Sequence, residues 1–188
     1  MERCAWVKPE NERYVVYHDL EWGVPVHDDQ HLFEMLILEG AQAGLSWETI
    51  LNKRENYRMA FDYFNPIKIS QYDDDKIEQL MQNSGIVRNR LKIKATIKNA
   101  KVFMAIQEEF GSFDRYLWDY VEGKPIISTF KSLSELPAKT ELSDRISKDL
   151  KKRGMSFIGS TIIYAYLQAI GVVNDHTINC FRYREVMR

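Results

Sequence analysis

Apolar residues recur at three- and four-residue steps along almost the whole chain, and this helical spacing is the strongest constraint on its fold. The two-residue alternation typical of strands is confined to residues 14–17 and 126–130. With 188 residues, 45% of them hydrophobic, the chain is the size of one ordinary domain and can bury a core. The sequence therefore predicts an all-α fold, a single helical domain spanning residues 1–188.

Helix start and stop signals divide the chain into segments. Asp28 or Asp29, Ser46 and Ser112 are suitable N-caps, and Gly111 is a suitable C-terminal stop. The predicted helices cover residues 29–43, 46–61, 74–82, 88–109, 112–121, 143–153 and 160–170. Residues 124–140 form the one extended irregular stretch and would be the candidate linker if the chain had two lobes. The last two helices enclose a short glycine-bounded turn, so residues 143–170 are predicted to form a helix-hairpin-helix unit.

The turn between these two helices combines glycines with positive charge. Lys152 and Arg153 end the first helix, and Gly154 and Gly159 bound the turn. A helix that opens at Gly159 exposes free backbone N–H groups, which form a phosphate site together with adjacent cations. Basic residues at a helix C-terminus also favour the helix dipole, so a solvated face is the alternative. Because 26 Lys and Arg balance 27 Asp and Glu, any nucleic-acid contact must be local.

The sequence carries no signal for a membrane or for export. Its longest apolar runs, residues 35–38 and 162–170, fall far short of the ~20 residues needed to cross a bilayer. Its first residues do not form a basic and then apolar leader with a cleavage site. We therefore expect a soluble cytoplasmic protein without a membrane partner. In that reducing compartment, a disulfide between Cys4 and Cys180 is not expected.

Two cysteines and two histidines near the chain ends form a candidate metal site. Cys4 and His18 lie near the start, and His176 and Cys180 near the end. If residues 177–181 are helical, His176 and Cys180 lie one turn apart on the same face, as two ligands of a tetrahedral zinc ion do. Four protein ligands would close the coordination shell, so the site would be structural. Two buried thiols beside two ordinary histidines are the alternative.

Aromatic residues concentrate in the first quarter of the chain and form a second candidate site with one carboxylate. The aromatic residues are Trp6, Tyr14, Tyr17, Trp22 and Trp47. Glu39 lies on the apolar side of its predicted helix, where an ionised carboxylate is costly to bury without a partner. It either reaches solvent, pairs with a base such as Arg54, or lies at the bottom of an aromatic pocket for a flat cationic ligand.

Several common catalytic signatures are absent from the sequence. It contains no Gly-x-x-x-x-Gly-Lys-[Ser/Thr] loop, no Gly-x-Gly-x-x-Gly, no Gly-x-Ser-x-Gly and no His-Glu-x-x-His. The chemistries of nucleoside triphosphates, dinucleotides, serine hydrolases and zincins therefore lack their usual signals here.

Long ordered segments of the chain closely resemble the 3-methyladenine DNA glycosylase I family. They include Met1-Glu2-Arg3-Cys4-x-Trp6, Tyr17-His18-Asp19-x-Glu21-Trp22-Gly23, Leu38-Glu39-Gly40-x-Gln42-Ala43-Gly44-Leu45-Ser46-Trp47, Lys151-Lys152-Arg153-Gly154-x-x-Phe157-x-Gly159 and Val173-Asn174-Asp175-His176. The resemblance spans the chain and is weakest between Gly111 and Ser143. It implies an all-α member of the helix-hairpin-helix superfamily that excises 3-methyladenine from alkylated double-stranded DNA and releases the free base.

The resemblance also implies roles for individual residues. One structural Zn²⁺ per chain is implied, with ligands at Cys4, His18, His176 and Cys180. The implied catalytic residues are Glu39 and Tyr17, and the implied base-binding residues are Trp47, Trp6, Tyr14 and Trp22. The implied DNA-binding residues are Gln42, Leu45, Lys152, Arg153, Gly154 and Gly159.

Physical chemistry is consistent with these implied roles. A base inside a duplex must be flipped out before an enzyme can reach it, and Gln42 and Leu45 are candidates to fill the gap that it leaves. Methylation at N3 makes adenine cationic, so a carboxylate at Glu39 would favour it over neutral adenine. The positive charge also makes the base a good leaving group. Orientation and a dry, electronegative pocket then supply the remaining catalysis.

Three further expectations concern the helix-hairpin-helix region. Asp175 lies near the place of the superfamily's catalytic aspartate, but it precedes the candidate ligand His176, so we expect a structural role. The hairpin has no lysine nucleophile, which predicts a monofunctional hydrolase that leaves an abasic site without lyase activity. Phe157 stands where a central glycine is frequent in the superfamily, which affects the detailed geometry of phosphate binding.

Two other classes of function are weighed against the glycosylase. One is a zinc-stapled nucleic-acid-binding module whose aromatic residues stack on single strands without catalysis. The other is a zinc hydrolase or deaminase, which needs an open coordination position and a glutamate beside a ligating histidine. Glu39 flanks no candidate ligand, which argues against the second class. We expect the protein to act as a monomer.

Overall fold

The computed structural model describes residues 1–187 of the chain. Within them the elements follow in the order α1 (Glu12–Leu20), α2 (Asp29–Gln42), α3 (Trp47–Ala60), α4 (Pro66–Ser70), α5 (Asp74–Gln82), α6 (Arg90–Phe110), α7 (Phe113–Trp118), β1 (Ile126–Ile127), α8 (Glu141–Arg153), α9 (Ser160–Ala169), β2 (Val173–Asn174) and α10 (Arg182–Glu185). Short 3₁₀ turns follow α3 and α7 and precede α8. The all-α prediction is confirmed.

Helix α2 is the centre of the fold. The Asp28 side chain caps it by accepting a hydrogen bond from the backbone N–H of His31. Residues 32–41 are all buried because α3, α6, α7 and α9 pack around this helix. A helix that is enclosed on every side is expected to be apolar, yet α2 carries two buried glutamates, Glu34 and Glu39.

Capping residues place most helices where the sequence predicts them. Ser46 and Ser112 accept hydrogen bonds from the first turns of α3 and α7, and Gly111 ends α6 with a φ of +89°. Helix α8 starts two residues earlier than predicted, because Thr140 is its N-cap and forms a reciprocal capping box with Ser143.

The two stretches with strand-like alternation have different outcomes. Residues 14–17 lie inside α1, which Asn11 caps, so an extended interpretation of this stretch is wrong. Four residues with apolar side chains fit a little more than one helical turn as well as a strand, and the cap decides between them. In the other stretch only Ile126–Ile127 is a strand, and it pairs in parallel with Val173–Asn174.

Residues 141–169 form the predicted helix-hairpin-helix unit. Asn99 of α6 holds the turn, since its amide donates to the Ser156 carbonyl and accepts from the Ser156 N–H, both at 2.9 Å. Phe157 has a φ of +56°, a left-handed conformation that glycine adopts without strain and a bulky residue rarely adopts. A Cβ added at Gly40 would lie 3.0 Å from the Phe157 carbonyl oxygen, so the glycine lets the turn approach α2 closely.

Backbone pairing fixes the irregular segment between α7 and α8 to the end of the chain. The N–H of Ser128 donates to the Asn174 carbonyl at 3.1 Å, and the N–H of Ile178 donates to the Phe130 carbonyl at 2.9 Å. The segment is therefore not a linker between two lobes, because it is bound at several points. Among residues 1–187, no helix has both the length and the apolar character to span a membrane.

Candidate functional site

A cleft of about 560 Å³ opens between α1, the C-terminal half of α2, the start of α3 and α9. The volume includes the space that is open to solvent at the mouth of the cleft. The lining residues are Trp6, Tyr14, Tyr17, Trp22, Glu39, Gln42, Trp47, Leu136, Ala165 and Gln168. All six residues predicted as catalytic or base-binding therefore line one cleft.

Glu39 is the charged group of the cleft. Its side chain is only 4% exposed, and its Oε2 atom is fully buried without a hydrogen-bond partner. Burial raises its pKa to about 8, because no described cation offsets the loss of hydration. The alternative that Glu39 pairs with Arg54 is excluded, since that guanidinium binds Glu34 and Glu21 at 2.6 Å each.

Trp47 contributes a second polar atom without a partner. Its indole Nε1 is buried and makes no hydrogen bond, although a buried indole N–H usually finds an acceptor. Its ring lies 5.2 Å from the ring of Tyr17, with an angle of 46° between the planes. Since both residues line the same cleft, the unpaired donor of Trp47 and the unpaired acceptor of Glu39 fit a flat ligand that offers both kinds of partner.

Edge-to-face aromatic contacts build the other wall of the cleft. The Trp6 ring lies 5.4 Å from Tyr14 and 5.1 Å from Trp22. Both indoles also pack against histidines of the candidate metal site, with Trp6 at 5.2 Å from His18 and Trp22 at 4.6 Å from His176. The cleft and the candidate metal site therefore share one layer of side chains.

The predicted metal ligands converge at the chain ends. Cys4, His18, His176 and Cys180 are all buried, and their ligand atoms lie within 4.8 Å of one another. The Cys180 Sγ lies 3.4 Å from His18 Nε2 and 3.5 Å from His176 Nδ1. Zinc–sulfur and zinc–nitrogen bonds in a tetrahedron separate sulfur from nitrogen by about 3.5 Å. The four residues can therefore hold a metal ion.

The outer nitrogens of both histidines have acceptors, as those of ligating histidines usually do. His18 Nδ1 lies 2.7 Å from the carboxylate of Asp19, and His176 Nε2 lies 3.0 Å from the Trp22 carbonyl oxygen. Asp19 is itself paired with Arg3. These contacts direct the free nitrogen lone pairs toward the two sulfurs, so the donor set fits a thiophilic metal.

The helix assumed for the spacing of His176 and Cys180 is absent from the structure. Residues 177–181 form a turn and not a helix, with the Cys180 N–H donating to the Thr177 carbonyl at 2.8 Å. The turn still brings Cys180 to His176, because a turn also folds the chain back over a few residues.

The rim of the cleft carries two of the predicted DNA-binding residues, Gln42 and Leu45. Gln42 ends α2, and Leu45 lies in the following turn with 42% of its surface exposed. A second opening, lined by both residues, Glu39 and the first two turns of α9, adjoins the cleft. Lys92 of α6 fixes the turn by donating to the carbonyl oxygens of Ala41 and Ala43.

The hairpin that precedes α9 carries the other predicted DNA-binding residues, which are Lys152, Arg153, Gly154 and Gly159. No side chain caps α9 at Gly159, so the predicted free N–H groups are present. Lys152 is exposed, whereas Arg153 is bound to Glu109 at 2.6 Å and to Asp149 at 2.8 Å. The cation of Arg153 is thus largely neutralised within the protein.

Sequence reasoning missed three residues of the cleft. Leu136 comes from the irregular segment, and Ala165 and Gln168 come from α9. No local signal marks them, because each reaches the cleft only through the packing of distant segments. The predicted residues, by contrast, come from the first 47 positions.

Comparisons with known proteins agree with this geometry. The methyladenine glycosylase family model matches residues 6–183. The chain is 47% identical to DNA-3-methyladenine glycosylase 1 of Escherichia coli K12, over 97% of each chain. It superimposes with a TM-score of 0.93 on a crystal structure of 3-methyladenine DNA glycosylase I, at 49% identity over 96% of this chain and 98% of the other.

A further solved structure is a variant of 3-methyladenine DNA glycosylase I in complex with 3-methyladenine. It matches with a TM-score of 0.93 and 36% identity, over 96% of this chain and 97% of the other. Fold, cleft and sequence thus agree, and the chain belongs to the methyladenine glycosylase family of DNA N-glycosyl hydrolases.

Proposed function

We propose that this protein excises 3-methyladenine from alkylated double-stranded DNA, releases the free base and leaves an abasic site. The observation that carries the proposal is the buried, unpartnered carboxyl of Glu39 within the aromatic cleft. A buried acidic group without a partner is stable in a native protein only at a cost, and a cationic ligand removes that cost.

Recognition follows from charge and shape together. The flipped base enters the cleft and stacks between the rings of Trp47, Tyr17 and Trp6. Because methylation at N3 gives the base a positive charge, the Glu39 carboxylate binds it more strongly than neutral adenine. The binding of a cation lowers the pKa of Glu39 from about 8, so the carboxyl releases its proton as the base binds.

The chemical step needs little from the protein. Water attacks C1′ of the sugar, the bond from C1′ to N9 breaks, and its electron pair goes to N9 and neutralises the base. The water loses a proton to solvent. Glu39 and Tyr17 hold the base while its charge changes, and the apolar walls exclude other water from the cleft.

The same cleft argues for a monofunctional enzyme. A lyase forms a Schiff base between an amine nucleophile and the sugar. Among the described residues that line the cleft and its adjoining opening, there is no lysine. The proposed product is therefore an intact abasic site.

The remaining site residues are proposed to bind the duplex. Leu45 and Gln42 lie at the exposed rim and fill the gap that the flipped nucleotide leaves. Lys152 and the N–H groups after Gly159 contact backbone phosphates, and Gly154 shapes the turn. Arg153 holds the end of α8 through its ion pairs and adds less free charge. One chain supplies every wall of the cleft, so we propose that the protein acts as a monomer.

We propose zinc as the metal for Cys4, His18, His176 and Cys180, because two thiolates and two imidazoles are a common structural zinc set. The closed donor set gives the ion no catalytic position, and when bound it supplies only a rigid connection between the chain ends. Elemental analysis of purified protein is expected to give one zinc per chain. Chelation is expected to lower the melting temperature and to disorder Trp6 and Trp22, which near-ultraviolet circular dichroism would report.

A product assay tests the monofunctional reaction. Methylated duplex DNA is incubated with the protein, and strand breaks are measured before and after mild alkali. We expect breaks only after alkali, and no protein–DNA adduct after treatment with borohydride. Breaks without alkali together with a trapped adduct would show lyase chemistry and contradict the proposal.

A further inference from the structure

Gln168 is a polar residue of the cleft to which the reaction above gives no role. It belongs to α9 and lines the cleft with Glu39, Trp22 and Trp6. Its side-chain Nε2 donates to the Asp175 carboxylate at 2.8 Å. Its carbonyl oxygen Oε1 makes no hydrogen bond within residues 1–187.

Asp175 is a buried anchor for this amide. It is 2% exposed and accepts hydrogen bonds from Ser128 at 2.6 Å, from the Tyr164 hydroxyl and from Gln168. Ser128 belongs to the irregular segment, whereas Tyr164 and Gln168 lie one turn apart on α9, so two different segments hold the carboxylate. Asp175 thus contacts Gln168, a residue that lines the cleft, in addition to the structural role expected for it.

The anchor determines which way round the amide lies. An ionised carboxylate only accepts hydrogen bonds, whereas an amide has a donating nitrogen and an accepting oxygen. Turning the Gln168 amide over would place Oε1 against the Asp175 carboxylate and lose a charge-assisted hydrogen bond. Oε1 is therefore kept on the side away from Asp175, as an acceptor available to the cleft.

The position of Gln168 along α9 places it beside the base and not beside the sugar. Thr161 and Ile162 line the adjoining opening, Ala165 lines both spaces, and Gln168 lines only the aromatic cleft. Six residues of helix separate Ile162 from Gln168, which is a rise of about 9 Å. Gln168 thus lies with the aromatic residues that would hold the flipped base.

We propose that Gln168 is a specificity-determining residue whose Oε1 accepts a hydrogen bond from the exocyclic amino group of the base. This inference rests on the proposed function. Glu39 selects positive charge, but a 3-methylated guanine in DNA is also cationic, so charge alone does not separate the two purines. A fixed acceptor favours a 6-amino purine and repels the carbonyl oxygen of a 6-oxo purine.

Binding of free bases isolates this preference from the chemistry. The probes are 3-methyladenine and 3-methylhypoxanthine, which differ in an amino group against a carbonyl at position 6. Their binding is followed by quenching of fluorescence from the cleft tryptophans. We expect wild-type protein to prefer 3-methyladenine by about 100-fold or more, since a mismatched pair of acceptors leaves buried polar atoms unpaired.

Two variants then assign the preference. Gln168→Met keeps the size of the side chain, removes its acceptor, and is expected to reduce the preference by about tenfold or more. Asp175→Asn lets the amide turn over, so 3-methylhypoxanthine is expected to bind more tightly than it does to wild-type protein. Gln79→Met, on the exposed side of α5, is the matched control and is expected to keep the wild-type preference.

The outcomes separate this inference from the function on which it rests. A Gln168→Met protein that melts like wild type and keeps the full preference would overturn the role of Gln168, while 3-methyladenine binding would leave the proposed function intact. If Asp175→Asn weakens both bases equally, the orientation argument is wrong. Wild-type protein that binds neither base would contradict the proposed function itself.

Discussion

The two halves of helix α2 each bury a glutamate, and the surroundings of the two carboxyl groups differ. Glu34 is 8% exposed and lies 2.6 Å from Arg54 and 2.8 Å from Arg58. Burial opposes its ionisation, but the two guanidinium groups outweigh burial and lower its pKa. Glu39 is 4% exposed, has no cationic partner, and its pKa is raised to about 8 by burial.

This difference separates structure from function. The charge of an acidic group that is paired within the protein is compensated without a ligand. An acidic group that is buried and unpaired costs folding free energy, and a native protein keeps such a group where a ligand or a reaction uses it. Sequence position alone does not distinguish the two, since both lie on the same helix among apolar residues.

The largest expected effect comes from Glu39→Gln, which keeps the shape and removes the charge. We expect base release from methylated DNA to fall about 100- to 1,000-fold, because a preorganised charge in a dry site has an effect of this order. Single-turnover release assays measure it, with DNA affinity measured in parallel. A protein with unchanged release would show that the carboxylate has no part in the reaction, and a pure DNA-binding module would have no release to lose.

Glu34→Gln is expected to lower the stability of the protein and to leave base release unchanged. It breaks a buried ion pair and leaves Arg54 with one carboxylate partner, so the free energy of unfolding should fall by about 3 kcal/mol. Urea denaturation measures the loss. Base release below the melting range should stay close to that of wild type. A selective loss of release would show that Glu34 also takes part in the reaction.

The pH dependence of stability sharpens the same contrast. The pKa of the Glu39 carboxyl is 4.5 when the group is fully hydrated, as in the unfolded chain, and about 8 in the folded protein. Its contribution to stability is therefore full below pH 4.5 and is lost as the pH rises toward 8, by up to about 1.4 kcal/mol per pH unit.

Comparison with Glu39→Gln isolates this contribution. The variant lacks the titrating group, so its stability relative to wild type should rise by about 4 kcal/mol between pH 5 and pH 8.5. Urea denaturation at the two pH values measures the difference. Parallel stability curves for the two proteins would show that Glu39 has a partner in solution.

The smallest expected effect is that of Trp47→Phe. It removes the unpaired indole N–H and keeps an aromatic ring for stacking, so binding of 3-methyladenine should weaken about tenfold. Fluorescence quenching of the other tryptophans measures the affinity. Stability should hardly change, since the lost N–H makes no hydrogen bond in the protein; a large loss of stability would assign Trp47 to the core.

The parts of the fold that follow local rules could be predicted from the sequence. Caps such as Ser46 and Ser112, and the stop at Gly111, give helix ends because a few neighbouring atoms decide them. Helix α1 could not be recognised in this way, because its apolar residues include an exposed Val16 and follow no clean helical face.

The candidate site could be predicted only in part for a related reason. Glu39 was recognisable as a carboxylate on an apolar face, but its lack of a partner depends on which glutamates Arg54 reaches across the α2–α3 contact. Leu136 and Gln168 enter the cleft from segments more than 80 positions away from Trp47. Their placement is set by tertiary packing, which no short motif records.

The most direct test of the account is the identity of the bases that the protein releases. Duplex DNA carrying 3-methyladenine and 7-methylguanine is incubated with metal-loaded protein, and the released bases are separated by chromatography. The account predicts release of 3-methyladenine, with 7-methylguanine left in the DNA. A folded, metal-loaded protein that binds this DNA and releases no base would contradict the account and leave a nucleic-acid-binding module in its place.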